Sequence, residues 1–138
     1  MKRLHFALGL FAAFACSGLQ AQTAIMKANI PFDFHLGKTV MPAGQYDLSY
    51  SAHLLTIRER SGGRAAHAAM ALMVPASRPQ PPSTGLLEFT RYGDTYFFER
   101  VWTPYSRDGG LFLKTAREKE LASRGGPTQP TAIALRSK

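Results

Sequence analysis

Residues 86–102 read LLEFTRYGDTYFFERVW, and two β-prone runs in this stretch flank the dipeptide Gly93-Asp94. A two-residue connection that begins with glycine is typical of a type II′ turn, which joins adjacent antiparallel strands. The stretch therefore predicts a β-hairpin in which residues 86–92 pair with residues 95–102.

The register of this hairpin has two solutions in the sequence. A two-residue turn pairs Phe89 with Phe98, which is favourable. It also sets Glu88 opposite Glu99, and like charges in facing positions destabilise a sheet. A three-residue loop instead pairs Glu88 with Arg100, so the residue pattern supports both registers.

A second strand signal lies in residues 26–35, where apolar and polar residues alternate as they do in a half-buried strand. The apolar positions are Met26, Ala28, Ile30, Phe32 and Phe34. Because Pro31 has no N–H, we expect this strand to lie at a sheet edge or to bulge there.

The middle of the chain contains further short segments. Alternation predicts strands over residues 45–50 and 54–59, the first of them after a turn at residues 41–44. Residues 64–74 are rich in helix-favouring alanine and methionine, but their position among short strands favours a strand buried on both faces. Residues 75–85 contain four prolines and predict an exposed loop.

A short helix is predicted near the C-terminus. Residues 115–118 (TARE) form a capping box, in which Thr115 and Glu118 satisfy each other's backbone N–H groups. The helix is expected to run to about Arg124 and to stop at the glycines that follow.

These segments predict a mostly-β protein, namely a small antiparallel β-sandwich or barrel-like domain with one short C-terminal helix. The chain of 138 residues suits one domain. We expect a signal peptide in residues 1–21, a single β-rich domain in residues 22–126 and a flexible tail in residues 127–138. The alternative for the tail is a final strand that includes Ile133 and Leu135.

The N-terminus has the layout of a secretory signal peptide: the basic Lys2 and Arg3, an apolar run over residues 6–15, and a small residue, Ala21, at the expected cleavage point. The apolar run is shorter than the roughly 20 residues that span a bilayer, so no transmembrane segment is expected after signal removal. The protein is expected to be exported, and periplasmic or secreted. The alternative is a lipid anchor on Cys16, which loosely fits a lipoprotein cleavage motif.

The chain is basic, with 17 lysines and arginines against nine acids and a net charge of +8. Loss of Lys2 and Arg3 with the signal leaves +6. An exported protein meets anionic lipids and envelope polymers, which this charge could attract, but moderate positive charge also simply keeps a protein soluble, and we favour that interpretation. No nucleic-acid partner is expected. An envelope polymer and a protein both remain open as partners.

Common enzyme signatures, such as G-x-S-x-G and H-E-x-x-H, are absent from the sequence. The histidines His35, His53 and His67 are not at metal-ligand spacing. The sequence predicts no catalytic residue, no metal site, no cofactor and no enzymatic activity. Two alternatives stay open: a hydrolase that uses Glu88 and Glu99 as an acid/base pair, and an apolar-ligand carrier with an internal cavity.

Two candidate binding sites follow from residue types. Arg58, Arg60 and Arg64 bracket the glycine-rich residues 61–63, whose N–H groups together with guanidinium groups suit a small anion. The alternative, which we favour, is an ordinary hairpin turn flanked by solvated arginines. Amphipathic rings suit a glycan-binding or protein-binding surface, but they also fill small β cores, and we expect at least half of them to do so. The candidate aromatic residues for such a surface are Tyr92, Tyr96, Trp102 and Tyr105.

Five features occur in a fixed order along the chain: IPFDF at residues 30–34, MPAGQY at 41–46, LTIR at 55–58, FTRYGDTYF at 89–97 and Trp102. In this order they resemble a group of small exported bacterial proteins with no assigned activity. The resemblance covers most of the mature chain, and it implies export and a β-rich architecture without catalytic residues. We therefore expect a non-catalytic binding or structural module of the cell envelope.

Overall fold

The computed structural model describes residues 25–60, 67–126 and 130–137. The expected signal peptide, its cysteine and Arg64 lie outside the described residues. The described chain is mostly β, with two multistranded sheets and one short helix.

Twelve strands and one helix follow each other along the described chain. In chain order the strands are β1 (Ile25–Ile30), β2 (Phe34–Leu36), β3 (Thr39–Met41), β4 (Gly44–Ser51), β5 (Leu54–Glu59), β6 (Ala68–Leu72), β7 (Val74–Ser77), β8 (Leu86–Tyr92), β9 (Thr95–Trp102), β10 (Asp108–Leu111), β11 (Thr131–Ala134) and β12 (Arg136–Ser137). The helix α1 (Ala116–Gly125) lies between β10 and β11. Sheet A has the spatial order β12-β1-β4-β5-β6. Sheet B has the order β11-β8-β9-β10-β7, with β2 beside β9 and β3 beside β2.

The two sheets pack face to face around one apolar core. Sheet A contributes Ile30, Tyr46, Leu48, Leu55 and Ile57, and sheet B contributes Phe34, Leu87, Phe89, Phe98 and Val101. The predicted fold class, a mostly-β two-layer protein with one short helix, is confirmed. Over the described residues the sheets are not closed into a barrel.

The strand predicted over residues 26–35 is two strands that belong to different sheets. Four of its five predicted apolar positions are buried, namely Met26, Ala28, Ile30 and Phe34, and the fifth, Phe32, is half-buried. The expectation of an edge strand is wrong, because β1 lies between β12 and β4. Pro31, which has no N–H for the ladder, follows the last paired residue, and the chain crosses there to sheet B. β2 then pairs with β9 in parallel, so the antiparallel arrangement has an exception.

One hydrogen bond joins the IPFDF and MPAGQY motifs at this crossing, and a second lies within MPAGQY. The N–H of Ala43 donates to Asp33 Oδ1 at 2.7 Å, and the hydroxyl of Tyr46 donates to the carbonyl oxygen of Pro42. Burial, with the charges of Glu59 and Asp33, raises the pKa of Tyr46 to about 12, so its hydroxyl keeps its proton at neutral pH. These contacts hold the crossing against the start of β4.

The predicted hairpin is formed by β8 and β9, with Gly93-Asp94 as its two-residue turn. Gly93 has a φ of 60°, whereas Asp94 has no positive φ, which is the sign pattern of a type II′ turn. Glycine adopts this backbone conformation without the steric cost that a side chain would add.

The hairpin register combines both solutions seen in the sequence. Near the turn Phe89 pairs with Phe98, and a β-bulge then shifts the register so that Glu88 pairs with Arg100. Glu99 is the extra residue of the bulge. The bulge therefore keeps the aromatic pair and replaces a pair of like charges with a pair of opposite charges.

Residues 68–72 form a strand as predicted, but the expectation that it is buried on both faces is wrong. This strand, β6, is the edge of sheet A, and its Met70 and Leu72 are 70% and 77% exposed. The proline-rich segment also begins as a strand, because β7 pairs with β10 at the edge of sheet B. The loop itself covers residues 78–85.

Within the part of residues 127–138 that the structure describes, the chain forms strands, which was the alternative to a flexible tail. β11 pairs with β8, and β12 pairs with β1. Between these two strands Leu135 is buried in the core, and its N–H donates to the carbonyl oxygen of Gly85 at 2.7 Å. Core burial of Leu135 therefore fixes the C-terminal segment across both sheets.

The helix α1 begins at its predicted N-cap, Thr115, whose hydroxyl accepts the N–H of Glu118 at 3.2 Å. It is followed by Gly126, the C-cap, which has a φ of 68°. The carboxylate of Glu118 turns towards sheet B, where the hydroxyl of Tyr92 donates to it at 3.4 Å. The helix therefore docks on the outer face of sheet B.

Candidate functional site

Four cationic side chains lie on the outer face of sheet A, and we call them the basic face: Lys27, Arg58, Arg60 and Arg136. Lys27 is the Cα partner of Arg136 on one side and of Asp47 on the other, and Asp47 is the partner of Arg58. Facing residues of an antiparallel pair project to the same side of the sheet. A row of three cations and one carboxylate therefore crosses the four strands β12, β1, β4 and β5.

Arg60 follows β5 and extends the basic face beside this row. Its guanidinium donates to Asp47 Oδ1, at 2.6 Å from Nη2 and 3.2 Å from Nε. Its backbone N–H donates to the carbonyl oxygen of Gln45 at 2.8 Å. Lys27, Arg60 and Arg136 line an open cavity of about 420 Å³. The cavity offers three cations and several amide groups to a ligand.

The charges of the basic face are not balanced within it. Lys27 and Arg136 face each other directly, and like charges in facing positions destabilise a sheet. The carboxylate of Asp47 already pairs with Arg60. The surplus positive charge makes this face attract anions, and a bound anion relieves the repulsion between Lys27 and Arg136.

The structure brings together Arg58 and Arg60 of the predicted anion site, while Arg64 lies outside the described residues. The sequence reasoning missed Lys27 and Arg136, which reach this face through strand pairing. The outward position of Lys27 in its alternating strand was a usable signal. Arg136 had none, because β12 is only two residues long.

The four predicted binding-surface aromatics do not share one surface. Tyr92 and Trp102 are buried, and each is 5% exposed. Tyr96 is half-buried and stacks on Phe32, with ring centroids 3.8 Å apart. Tyr105 is 81% exposed. Three of the four rings therefore pack within the domain, and Tyr105 stands in solvent.

The two acids considered as an acid/base pair share one cation. Arg100 Nη1 lies 3.4 Å from Glu88 Oε2, and its Nη2 lies 3.2 Å from Glu99 Oε1. The hydroxyl of Thr90 also donates to Glu99. Because the bulge sets Glu88 opposite Arg100, these carboxylates are held in an ion-pair network.

The three histidines of the described chain lie in separate surroundings. His35 stacks on Phe97, His67 Nδ1 lies 2.9 Å from Glu59 Oε2, and His53 lies in the turn between β4 and β5. Within the part of the chain that the structure describes, no three metal-ligating side chains come together.

A buried polar cluster lies under α1. Glu118 is 3% exposed, and Lys114 Nζ donates to the hydroxyl of Tyr92 at 3.2 Å, which in turn donates to Glu118. Burial raises the pKa of Glu118, although the charge of Lys114 and the hydrogen bond from Tyr92 act in the opposite direction. The cluster joins the helix to β8.

The raised pKa of Glu118 predicts a pH dependence of stability. The native state binds this proton more tightly than the unfolded chain does. The resulting stabilisation is complete below the unfolded pKa and is lost as pH rises through the native pKa. Glu118→Gln carries no such proton. The original protein therefore loses stability relative to the Glu118→Gln variant as pH rises. In urea unfolding, the free energy of unfolding of the variant minus that of the original protein is expected to increase above about pH 4.5.

The control for this pH experiment is Glu120→Gln, at an exposed position of the same helix. Its stability difference from the original protein is expected to vary less with pH. A Glu118→Gln difference that is flat between pH 4 and 8 would contradict the burial of this carboxyl group against sheet B.

The chain matches no protein-family model, no curated protein and no solved structure. Within the described residues no helix is long and apolar enough to cross a membrane.

Proposed function

We propose that the protein is an exported, non-catalytic binding module of the cell envelope, and that its basic face binds an anionic polymer. The observation that carries this proposal is the row of Arg136, Lys27, Asp47 and Arg58 across sheet A. Arg60 lies beside the row and pairs with Asp47, so this surface has four cations and one carboxylate. These residues come from distant parts of the chain and present one unbalanced charged surface.

The geometry of the row suits an extended ligand. Adjacent strands lie about 4.8 Å apart, so the row from Arg136 to Arg58 spans about 14 Å. A polymer with repeated carboxylate or phosphate groups offers several anions over that length. Arg58 and Arg136 are exposed, so the ligand reaches them without rearrangement of the sheet.

Binding to immobilised alginate, a carboxylated polysaccharide, tests this proposal. Lys27→Gln/Arg136→Gln is expected to weaken binding roughly 10- to 30-fold at low salt, because a cation near an anionic surface contributes about 1 kcal/mol. Binding by the original protein is expected to fall steeply above about 0.1 M salt, where the screening length is about 10 Å.

The matched control is Arg117→Gln/Arg124→Gln, which removes the same charge from exposed positions of α1 on the other sheet. It is expected to retain most of the affinity. Equal weakening by the two double variants would show that net charge, and not the basic face, governs binding. Binding that does not change with salt would also contradict the proposal.

The paired acids support binding in preference to catalysis. Glu88 and Glu99 share Arg100, and Glu118 is covered by α1. A catalytic acid or base needs access to the proton that it transfers. Glu88→Gln and Glu99→Gln are therefore expected to leave alginate binding unchanged.

Export is the second part of the proposal, and the basic N-terminus with its short apolar run supports it. Cleavage after Ala21 predicts a mature chain of about 117 residues in the exported fraction. Intact-mass spectrometry measures this directly. A chain that begins at Cys16 and carries the mass of an acyl group would instead establish a lipid anchor. An uncleaved chain confined to the cytoplasm would contradict export.

A further inference from the structure

A second open cavity, of about 490 Å³, lies on the outer face of sheet B, away from the basic face. Its lining includes Arg78, Arg100 and Trp102 together with Ala76, Glu88 and Leu111. Cavities that bind small organic molecules typically measure about 300–1,000 Å³ and combine apolar walls with a few polar groups. The size and composition of this cavity are in that range.

Two residues of this lining each carry a buried donor atom that has no hydrogen-bond partner among the described residues. The two atoms are Nη1 of Arg78 and Nε1 of Trp102. Trp102 is only 5% exposed. A buried donor without a partner costs about 1–3 kcal/mol, so such atoms call for an explanation. Both are donors, so the partner that satisfies them is an acceptor.

Neighbouring residues hold the ring of Trp102 and the backbone of Arg78. The ring of Trp102 lies against Gly109, where an added Cβ would be 2.5 Å from the indole Cε3. Arg78 is fixed by its backbone: its N–H donates to the carbonyl oxygen of Arg107 at 3.0 Å, and Arg107 Nε donates back to its carbonyl oxygen at 3.2 Å. The Arg78 guanidinium carbon lies 5.2 Å from the centre of the Trp102 ring.

The charges around the cavity favour a monoanion. Arg100 is occupied by Glu88 and Glu99, whereas no described carboxylate pairs with Arg78. Arg78 therefore carries the uncompensated positive charge. The nearby carboxylates of Glu88 and Glu99 disfavour a phosphate dianion, because like charges repel at this distance.

We infer that this cavity binds a small organic carboxylate, whose oxygens accept from Arg78 Nη1 and Trp102 Nε1 while its apolar body contacts Ala76 and Leu111. Neither donor atom is exposed to solvent in the described conformation. Binding therefore includes a rotation of the half-buried Arg78 side chain away from the indole, which opens the space between the two donors.

The test uses hexanoate as the probe and the indole N–H as the reporter. Trp102 is the only tryptophan of the chain, so the purified protein gives one indole N–H signal in a proton–nitrogen NMR spectrum. Hexanoate is expected to shift this signal downfield in a saturable manner. The neutral analogue 1-hexanol and inorganic phosphate are expected to leave the signal nearly unchanged.

Arg78→Gln is expected to weaken hexanoate binding about 10- to 100-fold, because it replaces a charged donor. Arg124→Gln, an equal charge change on α1, is expected to have little effect. Arg78→Lys keeps the charge and is expected to retain part of the affinity, which separates ligand binding from a folding defect. Three results would overturn the inference: no saturable shift with hexanoate, an equal shift with 1-hexanol or phosphate, or unchanged binding by a folded Arg78→Gln variant.

Discussion

Gly109→Ala is expected to lower the free energy of unfolding by about 3 kcal/mol or more. A Cβ at Gly109 would lie 2.3 Å from the carbonyl oxygen of Val101 and 2.5 Å from Cε3 of Trp102. The first of these atoms belongs to the backbone of β9, so relief requires β9 and β10 to separate. Urea unfolding followed by circular dichroism measures the loss.

The matched control is Gly125→Ala, at the end of α1, where an added Cβ meets no atom within 4 Å. Alanine favours helix more than glycine does, so this variant is expected to be neutral or slightly stabilising. Trp102 fluorescence gives a second measurement, since the ring lies on Gly109. Equal stability of the two variants would mean that β10 does not lie against Trp102.

Phe89→Ala is expected to lower the free energy of unfolding by about 3–5 kcal/mol, the usual cost of removing a buried aromatic ring. Phe89 is fully buried. Its ring makes edge-to-face contacts with Phe32, Phe34 and Phe98, with centroid distances of 5.1, 5.3 and 5.7 Å. The substitution therefore leaves a cavity at the centre of the two-sheet core.

Tyr105→Ala is the control for Phe89→Ala, because it removes an aromatic ring that is 81% exposed. It is expected to change the free energy of unfolding by less than about 0.5 kcal/mol. A loss below about 1 kcal/mol for Phe89→Ala would show that the space around this ring collapses, or that the ring is not central to the core.

The sequence predicted those parts of the fold that depend on residues close together in the chain. Glycine at the first turn position fixed the β8–β9 hairpin, and alternation identified which side of β1 faces the core. The bulge at Glu99 was not predicted, because both candidate registers apply a single pairing offset along the whole hairpin, whereas the bulge changes the offset partway along it. The structure keeps Phe89 opposite Phe98 and still pairs Glu88 with Arg100.

Features that depend on distant pairing were harder to predict. The C-terminal segment has little local signal, and its order comes from the burial of Leu135 and from pairing with β8 and β1. The same pairing brings Arg136 beside Lys27. The sequence indicated Arg58 and Arg60 as candidates because they flank a local turn, whereas Lys27 and Arg136 reach the basic face only through strand pairing.

The basic face is the central claim, and NMR mapping with a short alginate oligosaccharide tests it most directly. At low salt, backbone amide shifts are expected to change in β12, β1, β4 and β5, and most strongly near Lys27, Arg58 and Arg136. These changes are expected to disappear as salt rises above about 0.1 M. Shift changes that are centred on sheet B, or that are spread evenly over the protein surface, would contradict the claim.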